Sequence, residues 1–245
     1  MEDIGLTSVT FRKKTRQEVM QLAKESKIQF IEWGADVHVP PLDDTAIKEA
    51  VALQDQYRIP CRSYGSYFRL LQNTKEEFLA VLETAARLGA GIIRLWMGNQ
   101  SSKDTTEAAF KKMVQETQVY ADLAKERQIT LAFEFHHSTY NDSGKTAVRF
   151  LKAVHRDNVK TYWQPFTEKA DFENLQAVLP YLVTVHVFSW SKSGVRFPLS
   201  WLNGRWKRFE AILHAANCQP NHVLEFVRAD SPKQFKKDAK TLRSW

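Results

Sequence analysis

Eight short apolar segments, rich in β-branched and aromatic residues, recur along the 245-residue chain and are separated by longer segments of helical periodicity. Strands and helices that alternate in this way form a parallel sheet of βα units. Eight units of about 31 residues are the size of a (β/α)8 barrel, and an open, doubly wound sheet is the alternative. The predicted strands are 5–11, 29–35, 61–67, 91–98, 129–136, 159–166, 183–190 and 222–228.

Local signals mark where several helices begin. Thr74-x-x-Glu77 and Asp104-x-x-Glu107 have the spacing of a capping box, and Ser231-Pro232 places a cap before a proline in the first turn. Ser143-Gly-Lys-Thr146 lacks the first glycine of a phosphate-binding loop, so we interpret it as a helix start. No linker divides the chain. We therefore predict one α/β domain over residues 1–245, a single (β/α)8 TIM barrel.

Composition excludes several classes of protein. Hydrophobic residues make up 43% and charged residues 26%, which is typical of a folded globular chain. No apolar run approaches the roughly 20 residues of a membrane span, and the N-terminus lacks a signal-peptide pattern. Cys61 and Cys218 are far apart and indicate neither a disulfide framework nor a zinc knuckle. We expect a cytoplasmic protein without a membrane anchor.

Basic residues are in excess, with 35 Lys and Arg against 28 Asp and Glu and a net charge of +7. Such an excess can indicate nucleic-acid binding. Here it is spread thinly, and its densest run, 233–243, has the spacing of a solvated amphipathic helix. We rank a nucleic-acid partner well below a small molecule. A long irregular segment, 191–205, follows the seventh strand and would lie at the functional face of a barrel.

Four polar side chains interrupt the apolar late strands, and in a barrel all four would point into its mouth. A buried carboxylate is costly unless a cation or hydrogen bonds compensate it, and two occur here at similar strand positions. Convergence on one divalent ion would satisfy both carboxylates, with an amide oxygen and an imidazole completing the set. The alternative is four separate polar residues, each satisfied by its neighbours. The four are Glu134, Gln164, His186 and Glu225.

These residues, together with Phe30-Ile-Glu-Trp-Gly-Ala-Asp36 and Arg196-Phe-Pro-Leu199, resemble the sugar isomerase and epimerase superfamily with a xylose isomerase-like TIM barrel. Ketose 3-epimerases and, more distantly, endonuclease IV belong to it. The resemblance spans nearly the whole chain and implies that the quartet holds a divalent metal ion: Mn, Mg, Co or Zn. Gln164 stands where the family has aspartate, which implies weaker metal affinity. Thr167 stands where the family often has histidine.

The resemblance implies an isomerase or epimerase of a sugar or sugar phosphate. In this hypothesis the metal grips adjacent hydroxyl and carbonyl oxygens, and protons are transferred through a metal-stabilised enediolate. Glu134 and Glu225 would serve as base and acid. A catalytically silent sugar-binding barrel is the alternative, which Gln164 favours. An endonuclease IV-like DNA repair enzyme ranks lower, because the seven histidines do not visibly supply its multi-metal centre.

Further residues near strand ends are candidate substrate contacts. Indole faces suit the C–H surface of a sugar, and guanidinium groups bind hydroxyls or phosphates. For Arg94 an ion pair with Glu32 or Glu134 is the alternative. The sequence leaves open the identity of the sugar, the reacting carbon and whether the chain forms a homo-oligomer. The candidate contacts are Trp33, His38, Arg94, Trp96, His136 and Arg196.

Overall fold

The structure, a computed structural model, describes residues 3–166, 170–191 and 193–245. Within these ranges eight parallel strands close a barrel in chain order, with β1 paired to both β2 and β8. The prediction of a (β/α)8 TIM barrel is confirmed, and the open sheet is wrong. The strands are β1 Ile4–Thr7, β2 Phe30–Gly34, β3 Cys61–Arg69, β4 Ile92–Trp96, β5 Thr130–Phe133, β6 Val159–Trp163, β7 Leu182–Val187 and β8 Asn221–Leu224.

A helix follows each strand in the described part of the chain. The helices bury apolar faces against the barrel, as α3 does with Phe78, Val81 and Leu82. None of the described helices combines the length and the apolar character needed to span a bilayer. The helices are α1 Arg16–Glu25, α2 Asp44–Tyr57, α3 Lys75–Arg87, α4 Glu107–Glu126, α5 Gly144–Val154, α6 Asp171–Val178, α7 Asn203–Ala215 and α8 Pro232–Arg243.

Most of the predicted helix starts are confirmed. Thr74 caps α3 in a full capping box, Ser143 does the same for α5, and Ser231 caps α8 before its first-turn proline. The start predicted at Asp104 is wrong. Thr106 caps α4 instead, because its hydroxyl accepts the backbone N–H three residues on, whereas Asp104 accepts a hydrogen bond from a neighbouring serine.

Seven of the eight strands end earlier than predicted, whereas β3 runs two residues further than predicted, to Arg69. β1 ends at Thr7 because residues 8–11 turn into a short 3-10 helix. β5, β6 and β8 end just before Glu134, Gln164 and Glu225. The backbone N–H groups of Glu134 and Glu225 still donate to carbonyl groups of the neighbouring strands. These polar side chains therefore stand on the rim of the barrel, where the ladder still fixes their direction.

Alternation along β6 shows which side chains enter the barrel. Trp163 packs against Trp206 and Phe209 of α7, with ring centroids 6.4 and 4.9 Å away, and so faces outward. Successive side chains of a strand point to opposite faces. Tyr162 and Gln164, on either side of Trp163, therefore point into the barrel.

Candidate functional site

The four residues predicted as metal ligands meet around Nδ1 of His186. Gln164 Oε1 lies 3.2 Å from this nitrogen, Glu225 Oε2 3.3 Å and Glu134 Oε1 3.8 Å. All four side chains are buried. We call them the mouth cluster. Three acceptor oxygens that face one buried nitrogen require a positive charge among them, supplied by a proton or by a metal ion.

The donors of the mouth cluster fit a divalent cation. Neighbouring ligands of an octahedral ion with bonds near 2.1 Å lie about 3 Å apart, close to the two shorter separations above. The ligand atoms of Glu134, His186 and Glu225 all lie within 4.8 Å of one another. Glu134 Oε2 is buried and accepts no hydrogen bond from the described residues. Two carboxylates, an amide oxygen and an imidazole also suit magnesium, manganese or zinc.

A second polar layer lies beneath the mouth cluster. Glu32 of β2 is fully buried, and its Oε2 accepts hydrogen bonds from Ser63 Oγ at 2.9 Å and Tyr162 OH at 2.7 Å. Its Oε1 faces Nε2 of His186 at 3.6 Å. A carboxylate behind a ligating histidine selects the tautomer and orients the ring. We call Glu32, Ser63, Arg94 and Tyr162 the supporting layer.

Arg94 joins the two layers. Its Nη1 lies 3.5 Å from Glu32 Oε1 and its Nε lies 3.3 Å from Glu134 Oε2, and the side chain is only 2% exposed. The ion pair named above as the alternative for Arg94 is thus present with both carboxylates. Gly65 makes room for it, since an added Cβ would lie 3.1 Å from Glu32 Oε1. When Glu32, Glu134 and Glu225 are all ionised, two negative charges remain, which a divalent ion would balance.

These charges shift the pKa of the groups around them. Burial alone would raise the pKa of Glu32, but His186 and Arg94 lower it to about 2. Burial opposes the charged form of His186, yet the charges of Glu225, Glu32 and Glu134 raise its pKa to about 9. Burial, with the Glu134 charge, raises the pKa of Glu225 to about 7. Without metal, the mouth cluster therefore holds a proton at neutral pH.

Trp96 and His136 lie at the mouth beside Glu134. The ring centroids of Trp96 and His136 are 4.6 Å apart. Tyr67 stacks on Trp96, with a distance of 6.3 Å between ring centroids. His136 stands two residues beyond Glu134 and so on the same side of the chain. A cavity of about 240 Å³ opens next to them, and its lining includes His136, Gln164, Phe188 and Trp190.

Arg196 lies in the segment between β7 and α7, where its backbone forms an antiparallel bridge with Trp190. Its guanidinium is 2.6 Å from Asp230 and lies 4.6 Å from the ring centroid of Phe226. The side chain is partly exposed. Arg196 is therefore positioned at the rim, with part of its donor fork already occupied by Asp230.

The structure places Trp33 and His38 away from the mouth cluster. Trp33 follows Glu32 on β2 and hence points to the opposite face, into the packing between barrel and helices. His38 is 2% exposed, and its Nε2 lies 3.0 Å from the Lys14 carbonyl oxygen. Its ring packs against Trp33 at 6.0 Å. Both side chains stabilise the connection after β2.

Several members of the supporting layer were not assigned to the site from sequence. Glu32 carried a usable signal, since a carboxylate inside an apolar strand is also what marked Glu134. Ser63 and Tyr162 carried none, because common hydroxyl residues become informative only once the barrel brings them to Glu32. Thr167, where the resemblance implied histidine, lies outside the described residues.

Comparisons with known proteins agree with this architecture. A family profile described as xylose isomerase-like TIM barrel matches residues 20–245. No curated protein matches the sequence. Among solved structures, the probable 3-DHS dehydratase AsbF from Bacillus anthracis is similar, with a TM-score of 0.83 and 16% identity over 98% of both chains.

Two further structures have similar folds. D-psicose 3-epimerase with D-tagatose, from Clostridium cellulolyticum H10, gives a TM-score of 0.77 at 15% identity over 99% of this chain and 97% of its own. A xylose isomerase-like TIM barrel protein from Mycobacterium smegmatis in complex with magnesium gives 0.76 at 15% identity over 99% and 96%. Structural likeness at these identities establishes the fold, and the profile match establishes the family. The chain belongs to the xylose isomerase-like TIM barrel family.

Proposed function

We propose that this protein is a divalent-metal-dependent enzyme that isomerises or epimerises a sugar or sugar phosphate. The observation that carries the proposal is the convergence of Glu134, Gln164 and Glu225 on Nδ1 of His186. Two of the similar structures support it, because one is a sugar epimerase and the other was solved with magnesium. The two free cysteines fit the cytoplasmic location that we propose with it.

The chain's own residues would divide the work. Glu134, Gln164, His186 and Glu225 would hold the metal ion, which as a Lewis acid polarises the carbonyl and hydroxyl oxygens of an open-chain sugar. Glu134 and Glu225 follow β5 and β8, so they approach the substrate from different sides and can each exchange a proton with it. The proton that one carboxylate removes from carbon would be returned to the resulting enediolate by the same or the other carboxylate. Use of one face gives isomerisation, and use of both gives epimerisation.

The walls of the mouth would orient the sugar. Trp96 and His136, whose ring centroids are 4.6 Å apart, would form one side of the mouth, against which the C–H surface of the sugar would pack. Arg196 would close the rim on the far side of the barrel. Arg94 would act on the reaction through Glu134, because its side chain is buried and contacts this carboxylate and Glu32.

A catalytically silent sugar binder is the second candidate, favoured by Gln164. Its amide brings no charge to the cluster, and its Nε2 already donates to the Phe135 carbonyl at 2.7 Å. Incubation of the manganese-loaded protein in D2O with ketoses, aldoses and their phosphates separates the two. An isomerase or epimerase incorporates deuterium at carbon in at least one sugar, as read by mass spectrometry. Binding without any exchange would favour the silent binder.

Gln164→Asp is expected to tighten manganese binding by about tenfold or more, because a third carboxylate joins the ligands and ligand charge sets the affinity of such sites. Isothermal titration calorimetry measures the change. Gln219→Asp, at an exposed position outside the barrel mouth, is the matched control and should leave the affinity unchanged. Equal affinities for wild type and Gln164→Asp would argue against a ligand role for this position.

Manganese binding is expected to weaken as the pH falls. Metal ligands must be deprotonated, so the ion displaces a proton from His186 below its pKa of about 9 and another from Glu225 below its pKa of about 7. The dissociation constant should rise about tenfold per pH unit between these values and more steeply below the lower one. Calorimetry in buffers of different ionisation enthalpy would count the released protons. A constant affinity from about pH 6 to pH 8 would contradict this linkage.

A further inference from the structure

Arg69 differs from Arg12, Arg94 and Arg196 in having no acidic partner. Arg12 pairs with Asp36, Arg196 with Asp230, and Arg94 with two carboxylates. In the described part of the chain, no carboxylate lies at ion-pair distance from the half-buried Arg69 side chain. Its Nη1 donates to the Gly98 carbonyl at 3.0 Å. An arginine has five N–H donors, so most of this fork is left for a ligand.

The backbone of Arg69 is fixed at the end of β3. This strand has nine residues, more than any other in the barrel, and Arg69 pairs with Trp96 beyond a register shift. Its N–H donates to Asn73 Oδ1 at 2.8 Å, and its carbonyl accepts the N–H groups of Gln72 and Asn73. Because both the N–H and the carbonyl of Arg69 are hydrogen-bonded, the position of its side chain is defined more precisely than that of a side chain on a free loop.

The guanidinium of Arg69 lies over an aromatic wall that is formed by Tyr67, Trp96 and His136. Its Cζ lies 3.9 Å from the ring centroid of Trp96, the distance of a cation–π contact. The wall continues through Tyr67 to Arg94 of the supporting layer, whose Cζ lies 5.4 Å from the Tyr67 ring. Trp96 also contacts His136, two residues from Glu134. The wall thus runs from the rim down to the mouth cluster.

We propose that Arg69 binds an anionic group of the substrate, a carboxylate or a phosphate, so that the substrate is a sugar acid or a sugar phosphate rather than a neutral sugar. The inference rests on the proposed function, which places the carbonyl end of the substrate at the mouth cluster. The anion then lies at the rim, where a planar fork can bind two of its oxygens at once. The carbon chain between the two ends would then pass along the aromatic wall formed by Tyr67, Trp96 and His136.

Three open-chain six-carbon probes test this inference: D-glucitol, which is neutral, D-gluconate, which carries a carboxylate, and D-glucitol 6-phosphate. Their binding is measured by calorimetry with the metal-free and the manganese-loaded protein. We expect at least one anionic probe to bind more tightly than glucitol, and Arg69→Gln to weaken that probe by about ten- to hundredfold while leaving glucitol unchanged. The two anionic probes tell the carboxylate from the phosphate. Arg69→Lys should recover part of the loss, because it keeps the charge and loses the fork.

Arg228→Gln is the matched control, because Arg228 is an exposed rim arginine that stacks on Trp201 at 5.9 Å. It should leave the affinity for all three probes unchanged, which separates a specific contact from the general positive charge. Anionic probes that bind no better than glucitol, or equally well to Arg69→Gln, would overturn the inference and leave the metal-dependent enzyme intact. If the protein retains no manganese but binds an anionic probe through Arg69, the anion site would be supported and the metal-dependent enzyme would be contradicted.

Discussion

Replacing Arg94 with methionine is expected to lower the free energy of unfolding of the metal-free protein by about 3–5 kcal/mol. Methionine fills a similar volume, so the main change is electrostatic. The variant leaves Glu32 and Glu134 buried without the guanidinium that lies 3.5 and 3.3 Å from them. An uncompensated buried charge costs far more than a buried pair contributes. Urea unfolding at neutral pH, followed by circular dichroism, measures the loss.

Two further variants identify the cause of that loss. Adding Glu32→Gln to Arg94→Met removes one of the stranded charges and should recover part of the stability. Arg156→Met breaks the exposed ion pair with Asp122 and should change the free energy of unfolding little, because solvent screens that pair. An Arg94→Met protein that is no less stable than Arg156→Met would contradict the buried ion network described here.

The barrel could be predicted from sequence because its signals are local. Each strand is a short apolar run, and caps such as Thr74 and Ser231 are fixed by residues within one turn. The ends of strands were harder to predict. Apolar residues continue beyond Thr7 in the first unit, yet the chain there forms a 3-10 turn rather than a strand. Spacing alone also misplaced the start of α4, since both Asp104 and Thr106 can serve as caps.

The mouth cluster could be predicted for a different reason. Burying a carboxylate or an imidazole among large apolar residues costs free energy unless other polar groups contact it. Because the strands are parallel, polar residues at their carboxyl ends lie at the same end of the barrel. Glu32 is also a carboxylate among apolar residues, but from sequence it could be predicted only as an ion-pair partner of Arg94. Nothing in the sequence indicates that β2 places this carboxylate behind His186. Successive side chains of a strand point to opposite faces, so Trp33 points out of the barrel because Glu32 points into it. Trp33 was predicted as a substrate contact because indole suits sugars, but its direction keeps it away from the mouth.

Replacing Glu225 with glutamine is expected to raise the dissociation constant for manganese by at least about a hundredfold, since even residues behind metal ligands contribute ten- to hundredfold. Glutamine keeps the shape of the side chain and removes its charge. The cluster would then retain one carboxylate, Glu134, which also interacts with Arg94. Glu116→Gln is the matched control, because this half-buried carboxylate of α4 accepts the backbone N–H of Leu71 and lies outside the mouth cluster.

The most direct test of the account is the metal content of the protein by elemental analysis, after incubation with manganese and desalting. Wild type, Glu225→Gln and Glu116→Gln are compared at the same protein concentration. We expect close to one manganese per chain in wild type and in Glu116→Gln, and little in Glu225→Gln. Wild type that retains no manganese, or Glu225→Gln that retains as much as wild type, would contradict the assignment of the mouth cluster as a metal centre.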